Sequence, residues 1–226
     1  MREIVIDTET TGLDHKKGDR VIEVGCVELI NHVSTNKHLQ FYCSVEKQIT
    51  ESAQKVHGLT NSFLSSYPSF QEQVDSFLEF IKDDVLIIHN ADFDTGFLNN
   101  ELKIAGRKPL KNKIVDTVRL ARKILNSRIA NLDYLCKRFS IDLSNRSYHG
   151  ALLDSQLLAE VYLELKGGKQ ISMDLNAEKK STQNLATNNH NKSLNFFEVR
   201  VSSDEIKKHK LMTKQLKNSL WEKIDY

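Results

Sequence analysis

Cysteine is scarce. Cys26, Cys43 and Cys136 are the three in the chain, an odd number with no C-x-x-C spacing, so neither a disulfide framework nor a zinc site is suggested. Cys26 and Cys43 fall in apolar strand patterns and read as buried, reduced thiols of a cytoplasmic protein. No apolar run approaches the roughly 20 residues needed to cross a bilayer, so no membrane partner is expected. A leader pattern is missing as well, because Met1-Arg2-Glu3 runs straight into a short strand followed by acids. Charge of one sign is also lacking: 32 Lys and Arg face 30 Asp and Glu, for a net charge of +2. The balance is uneven, with 11 basic against 7 acidic residues from Gly167 onward and 21 against 23 before it. A slightly acidic front does not exclude a polyanionic substrate, because bound divalent cations invert the local sign.

What is present suits one soluble globular domain with a full core and an appendage: 226 residues, 39% hydrophobic and 27% charged. Ile4-Val5-Ile6 opens a buried strand, Val21 to Ile30 alternates and is β-branched, and His38 to Val45 does the same, joined by a polar loop at 31–37. Lys55 to Leu59 reads as a loop. Ser69 with Glu72 forms a capping box ahead of a helix whose apolar residues Phe70, Val74, Phe77, Leu78 and Ile81 have helical spacing. The continuous run Val85-Leu86-Ile87-Ile88 predicts a central strand buried on both faces. A helix follows with Phe93, Phe97, Leu98, Leu102 and Ala105 inward, stopped near Gly106. A short strand at 113–115, helices at 118–125 and 132–139, and a last core helix from about Gly150 to Lys166 complete an α/β order with a mixed five-stranded sheet flanked by helices.

The strand at the start ends in Asp7-Thr8-Glu9-Thr10-Thr11-Gly12. A period of two puts Asp7 and Glu9 on one side, and two carboxylates that close are tolerable if one holds a proton or a cation lies between them. On its own the pair reads as a turn residue and a solvated surface charge, and further acids are needed to make it a site. Two further acids sit at element ends, Asp94 at the start of the second long helix and Asp154 in the first turn of the last core helix. Open α/β sheets gather ligands at such edges. His149 precedes Asp154 by five residues, which on a continuous helix separates them by about 140°. The expectation is therefore that His149 sits in the loop before the helix, where it reaches the same cleft.

In order and spacing, D-T-E-T-T-G (residues 7–12), H-N-A-D-F-D (89–94) and H-G-A-L-L-D (149–154) resemble the three exonuclease motifs of the DEDDh group of 3′ to 5′ exonucleases. The resemblance spans residues 3 to about 166. It implies a ribonuclease H-like fold and two divalent cations, Mg²⁺ or Mn²⁺, held by Asp7, Glu9, Asp94 and Asp154, with His149 as general base. Two such metals about 4 Å apart activate a water and steady the leaving oxygen of a phosphodiester. It further implies that Thr10 and Leu13 meet the terminal nucleotide, although Leu13 is equally an ordinary core position. His57 matches a loop beside the cleft or is a turn histidine. Phe93 stacks on the nucleotide or packs on its own helix. Asn90 contacts substrate or caps the helix, and Asp92 is a solvated charge.

Beyond Gly168 the character changes. Gln170-Ile171-Ser172-Met173-Asp174-Leu175 resembles the sliding-clamp-binding peptide of bacteria, with Gln170, Met173 and Leu175 at the anchor positions. Residues 176–193 are rich in Asn, Lys, Ser and Thr and read as a flexible linker. In 194–226, Phe196, Phe197 and Val199 look strand-like, Ser203 can cap a basic helix, and Trp221 is an anchor candidate. Some thirty residues bury too little to fold alone, so this tail orders on a partner. The expected division is 1–168 exonuclease domain, 169–193 clamp-binding peptide and linker, and 194–226 polymerase-binding tail. The resemblance implies a single-stranded 3′ end of DNA as substrate, with the catalytic (alpha) subunit of DNA polymerase III and the sliding clamp as partners. The setting is then a bacterial, nucleoid-associated proofreader. An RNA exonuclease of the same fold and a non-catalytic clamp and polymerase adaptor are the alternatives.

Overall fold

In the computed structural model, which describes residues 1–144, 146, 148–167 and 202–214, the first strand, β1 (Arg2–Thr10), is the middle strand of a five-stranded sheet. β2 (Val21–Ile30) pairs antiparallel with β1, and β3 (Val33–Tyr42) pairs antiparallel with β2. On the other side β4 (Val85–Ile88) and β5 (Ile114–Asp116) run parallel to β1, giving the order β3-β2-β1-β4-β5. The mixed sheet expected from the sequence is present.

Two layers of helix cover it. α3 (Phe70–Ile81) and α4 (Ala91–Ile104) pack on Ile4, Ile6, Val24, Leu86 and Ile88. α5 (Thr117–Leu125), α6 (Leu132–Arg138) and α7 (Ala151–Leu165) pack on Val5, Val27, Leu29 and Ile87. Neighbouring residues of β1 and β4 thus feed opposite layers, which is why both strands read as unbroken apolar runs. Glu72 accepts hydrogen bonds from the Ser69 N–H (2.8 Å) and hydroxyl (2.7 Å), the capping box that starts α3. Asp116 and Asn131 cap α5 and α6 with their own side chains, which accept from backbone N–H groups of Val118 and Arg119 and of Tyr134.

Three local readings are corrected. The polar stretch 31–37 is no loop: Asn31 and His32 form a two-residue turn, with φ of 50° and 61°, and β3 starts at Val33. Positive φ at both central residues is what a tight hairpin demands, and the polar residues that follow belong to an exposed edge strand. Lys55, Val56 and His57 are helical, closing α1 (Glu51–His57), which Thr50 caps and Gly58 ends at φ 74°. A one-turn helix, α2 (Asn61–Leu64), follows. In the second unit, described by itself, α8 (Ser203–Lys214) is capped by Ser202 and not Ser203, through Glu205, whose carboxylate accepts from the Ser202 N–H at 2.9 Å. Gln170, Met173, Leu175, Phe196, Phe197, Val199, the linker at 176–193 and Trp221 lie outside the described residues. Among the described residues no helix is long and apolar enough to cross a membrane, and the three cysteines are free and buried.

Candidate active site

The acids converge because β1 hands alternate residues to opposite layers. Val5, Asp7 and Glu9 share the α7 face, whereas Ile4, Ile6 and Thr8 share the α4 face. Thr8 donates its hydroxyl to Asp94 Oδ1 at 2.7 Å, tying the first turn of α4 to the strand. A register shift between Glu9 and Thr10 re-aims the strand end beside the cleft. From the α7 side, the carboxylates of Glu9 and Asp154 and a ring nitrogen of His149 lie within 4.8 Å of one another.

α7 reaches this position over a glycine. Gly25 on β2 stands opposite Asp7, and a Cβ there would come within 2.2 Å of the Ala151 carbonyl carbon. Ser155 on the same helix donates to the Gly25 carbonyl at 2.9 Å. Glu23 on β2, opposite Glu9, accepts from Gln40 at 2.8 Å; burial pushes its carboxyl up, while Gln40 and the first backbone N–H groups of α7 oppose the shift. His149 sits in the loop before α7, as the 140° argument requires, and its backbone N–H donates to the Val56 carbonyl of α1 at 3.1 Å. The neighbouring Tyr148 ring lies over Gly58.

Electrostatically the cluster is overloaded with negative charge. Burial drives the Asp7 carboxyl well above the usual range, and Asp94 and Glu9 add to it. Glu9 is pushed up to about 8 by burial, then by Asp154, Glu23 and Asp94. Burial raises Asp94 to about 7 in spite of the Thr8 hydrogen bond. Asp154 departs from this pattern. Burial would raise it too, but its pairing with His149 and Arg146 outweighs that and holds it low. Acids that repel one another in a buried edge are what a hard dication relieves, so the donor set fits divalent metal.

Among the other expected residues, Thr10 is buried and its hydroxyl is turned to the Gly12 carbonyl at 2.6 Å. Leu13 is 82% exposed, which removes the core reading. His57 is buried; its Nδ1 accepts from the Leu59 N–H at 3.0 Å, and among the described residues no hydrogen bond of ordinary geometry reaches its Nε2. Burial lowers its pKa, so its neutral form is favoured with a proton on Nε2. Phe93 packs against Phe97, ring centroids 4.9 Å apart, and is only partly buried. Asn90 precedes α4 at φ 62° with no side-chain cap hydrogen bond, so the capping reading fails: its left-handed backbone aims the amide elsewhere. Asp92 is solvated and pairs with Arg119 at 2.7 Å.

An exonuclease family model matches residues 4–162. The DNA polymerase III subunit epsilon of Rickettsia felis is 43% identical over 216 residues, covering 93% of this chain and 94% of the relative. That of Escherichia coli (strain K12) is 41% identical over 190 residues, covering 80% and 78%. This chain belongs to the exonuclease family, among the epsilon subunits of bacterial DNA polymerase III. The exonuclease fold is likewise that of the nuclease domain of 3′hExo, a DEDDh family member solved bound to rAMP, with a TM-score of 0.63, 17% identity and coverage of 74% and 92%. The DEDDh exonucleases depend on divalent metal, in keeping with the acid set of this exonuclease.

Sequence reasoning passed over Thr8, Gly25, Glu23 and Arg146. Gly25 carried a signal, since an isolated glycine inside a strand pattern marks a close backbone approach. Arg146, in a polar loop, carried none.

Proposed function

We propose that Asp7, Glu9, Asp94 and Asp154 hold two divalent cations, Mg²⁺ or Mn²⁺, and that His149 takes the proton of the attacking water. The exonuclease then removes nucleoside monophosphates from a single-stranded 3′ end of DNA. The observation that carries this reading is the meeting of Glu9, Asp154 and His149 within 4.8 Å, from segments 140 or more residues apart in the chain. When bound, the cations supply charge that lowers the pKa of water and neutralises the phosphodiester and its leaving oxygen. The chain's own residues do the rest. Asp154 and Glu9 face each other across the cleft. His149, 45% exposed at its side chain, presents an imidazole to the cleft as the acid–base group for the water's proton. Leu13 offers an exposed apolar surface to the terminal base, and His57 offers its Nε2–H to a sugar hydroxyl or phosphate oxygen. We assign Thr10, Asn90 and Phe93 to the substrate contacts as well.

Proofreading within the replicative polymerase follows from the relatives, which are subunits of DNA polymerase III. We assign residues 1–168 to the nuclease, 169–193 to a clamp-binding peptide and linker, and 194–226 to the catalytic (alpha) subunit. A tether raises the effective concentration at a primer end without a strongly basic surface, in keeping with a net charge of +2. The test is degradation of a 3′-mismatched DNA primer, with an RNA strand alongside, with and without Mg²⁺. Loss of DNA 3′ ends only with the metal is expected; stronger digestion of RNA sinks the DNA assignment. Truncation after Gly168 should keep hydrolysis and lose co-purification with the polymerase.

A further inference from the structure

Arg146 is the residue at the site that the exonuclease reading does not use. Its side chain is 7% exposed although it belongs to a loop. The guanidinium grips Asp154 with both arms, Nε to Oδ1 at 2.6 Å and a terminal nitrogen to Oδ2 at 2.7 Å. That terminal nitrogen also lies 2.9 Å from His149 Nδ1, and the other terminal nitrogen pairs with Asp133 on α6. Its charge lowers the Glu9 carboxyl, against the several effects that raise it.

Two consequences follow from donor chemistry. A guanidinium only donates, so a Nδ1 that meets it accepts, which leaves the proton of a neutral imidazole on Nε2. In that tautomer the outward nitrogen cannot take a proton from water. Asp154 Oδ2 lies 3.1 Å from the same Nδ1 and would favour the opposite tautomer, Nδ1–H with Nε2 free. The guanidinium therefore holds the base in its unproductive form and occupies the carboxylate oxygens that a cation needs. Asp133, 54% exposed and outside the acid set, already holds one arm and offers a place to retire to.

We propose that Arg146 is a positioning residue that clamps Asp154 and His149 and yields them when divalent cations arrive, which makes the productive form of the base dependent on metal loading. The proposal rests on the assignment of metal to the four acids. A planar bidentate fork competes for a carboxylate in a way that a point charge does not.

The test uses the full chain and titrates Mn²⁺ by calorimetry into the wild type, Arg146→Gln, Arg146→Lys and Asp7→Asn. Arg146→Gln should bind the ion about tenfold more tightly, one competing ion pair having been removed. Arg146→Lys keeps the charge but loses the fork and should also bind more tightly than wild type, and it serves alone if the glutamine variant fails to fold. Nitrogen-15 shifts of His149 at pH 8 give a second readout: Nε2–H in the wild type under chelator, moving to Nδ1–H on adding Mg²⁺, and Nδ1–H from the outset in the variant. Equal or weaker Mn²⁺ binding by both Arg146 variants, or a wild-type tautomer that Mg²⁺ leaves unchanged, overturns the clamp. Unchanged Mn²⁺ binding by Asp7→Asn instead overturns the metal assignment beneath it.

Discussion

Gly25 and Ala151 meet at a distance that no other residue at position 25 permits: an added Cβ would lie 2.2 Å from the Ala151 carbonyl carbon and 2.3 Å from its oxygen. The missing side chain on β2 lets the first turn of α7, with Asp154, reach the end of β1. Gly25→Ala must push that turn away. It should cost about 3 kcal/mol of stability as overpacking against backbone. It should also lower kcat about 100-fold, since a misplacement of roughly 1 Å suffices for that. Thermal melting and single-turnover hydrolysis measure the two effects; wild-type kcat would mean that α7 does not set the geometry.

The raised carboxyls make stability depend on pH. Glu9 and Asp94 have ordinary values of 4.5 and 3.8 and native values of about 8 and about 7. Between these limits the native chain holds protons that the unfolded chain has released. Their stabilising contribution is therefore full below about pH 4 and is lost as pH rises through 7 and 8. With chelator present, the melting temperature should fall from pH 6 to pH 9. Glu9→Gln should flatten that slope and melt above wild type at pH 9, while hydrolysis is lost.

The same protons must leave when a cation binds. Mg²⁺ or Mn²⁺ affinity should weaken as pH is lowered from 8 to 6, with proton release at pH 7. Calorimetry in buffers of different ionisation enthalpy counts the protons; an apparent binding enthalpy that does not change with the buffer would contradict the raised values.

Away from the chemistry, Arg20 donates twice to Glu101 of α4, each at 2.7 Å, and Glu101 is 1% exposed at its side chain. Arg20→Ala leaves that carboxylate buried with only the Val21 N–H at 3.2 Å. The loss should be about 3 kcal/mol, read by urea unfolding. Arg20→Met with Glu101→Leu should recover most of it, because the cost arises from the unpaired charge rather than from the absent bridge.

Leu13 separates binding from folding. Being 82% exposed, it contributes little to the core, and Leu13→Ala should change stability by less than about 0.5 kcal/mol. If it carries the terminal base, KM for a single-stranded oligonucleotide rises about fivefold while kcat holds. An unchanged KM removes it from the substrate site.

Much of this was legible in the chain itself. Alternation put Asp7 and Glu9 on one side of a strand, the Ser69–Glu72 box and the Asn131 cap started helices where the structure has them, and helical period moved His149 into a loop. These are local rules, acting over a few residues. Local signals also misled: the positive-φ pair Asn31-His32 was hidden in a polar stretch, and α1 was too short to show a period.

What the sequence alone determined is the set of chemical groups and their local orientation, because periodicity and capping depend only on neighbours in the chain. The tertiary structure decided which groups share a site. Gly25 against Ala151, Thr8 on Asp94, and Arg146 between Asp154 and His149 follow from how α4, α7 and the loop before α7 come to rest at one end of the sheet. The pKa values of the acids belong to that arrangement, since burial and mutual repulsion exist only once the layers have closed.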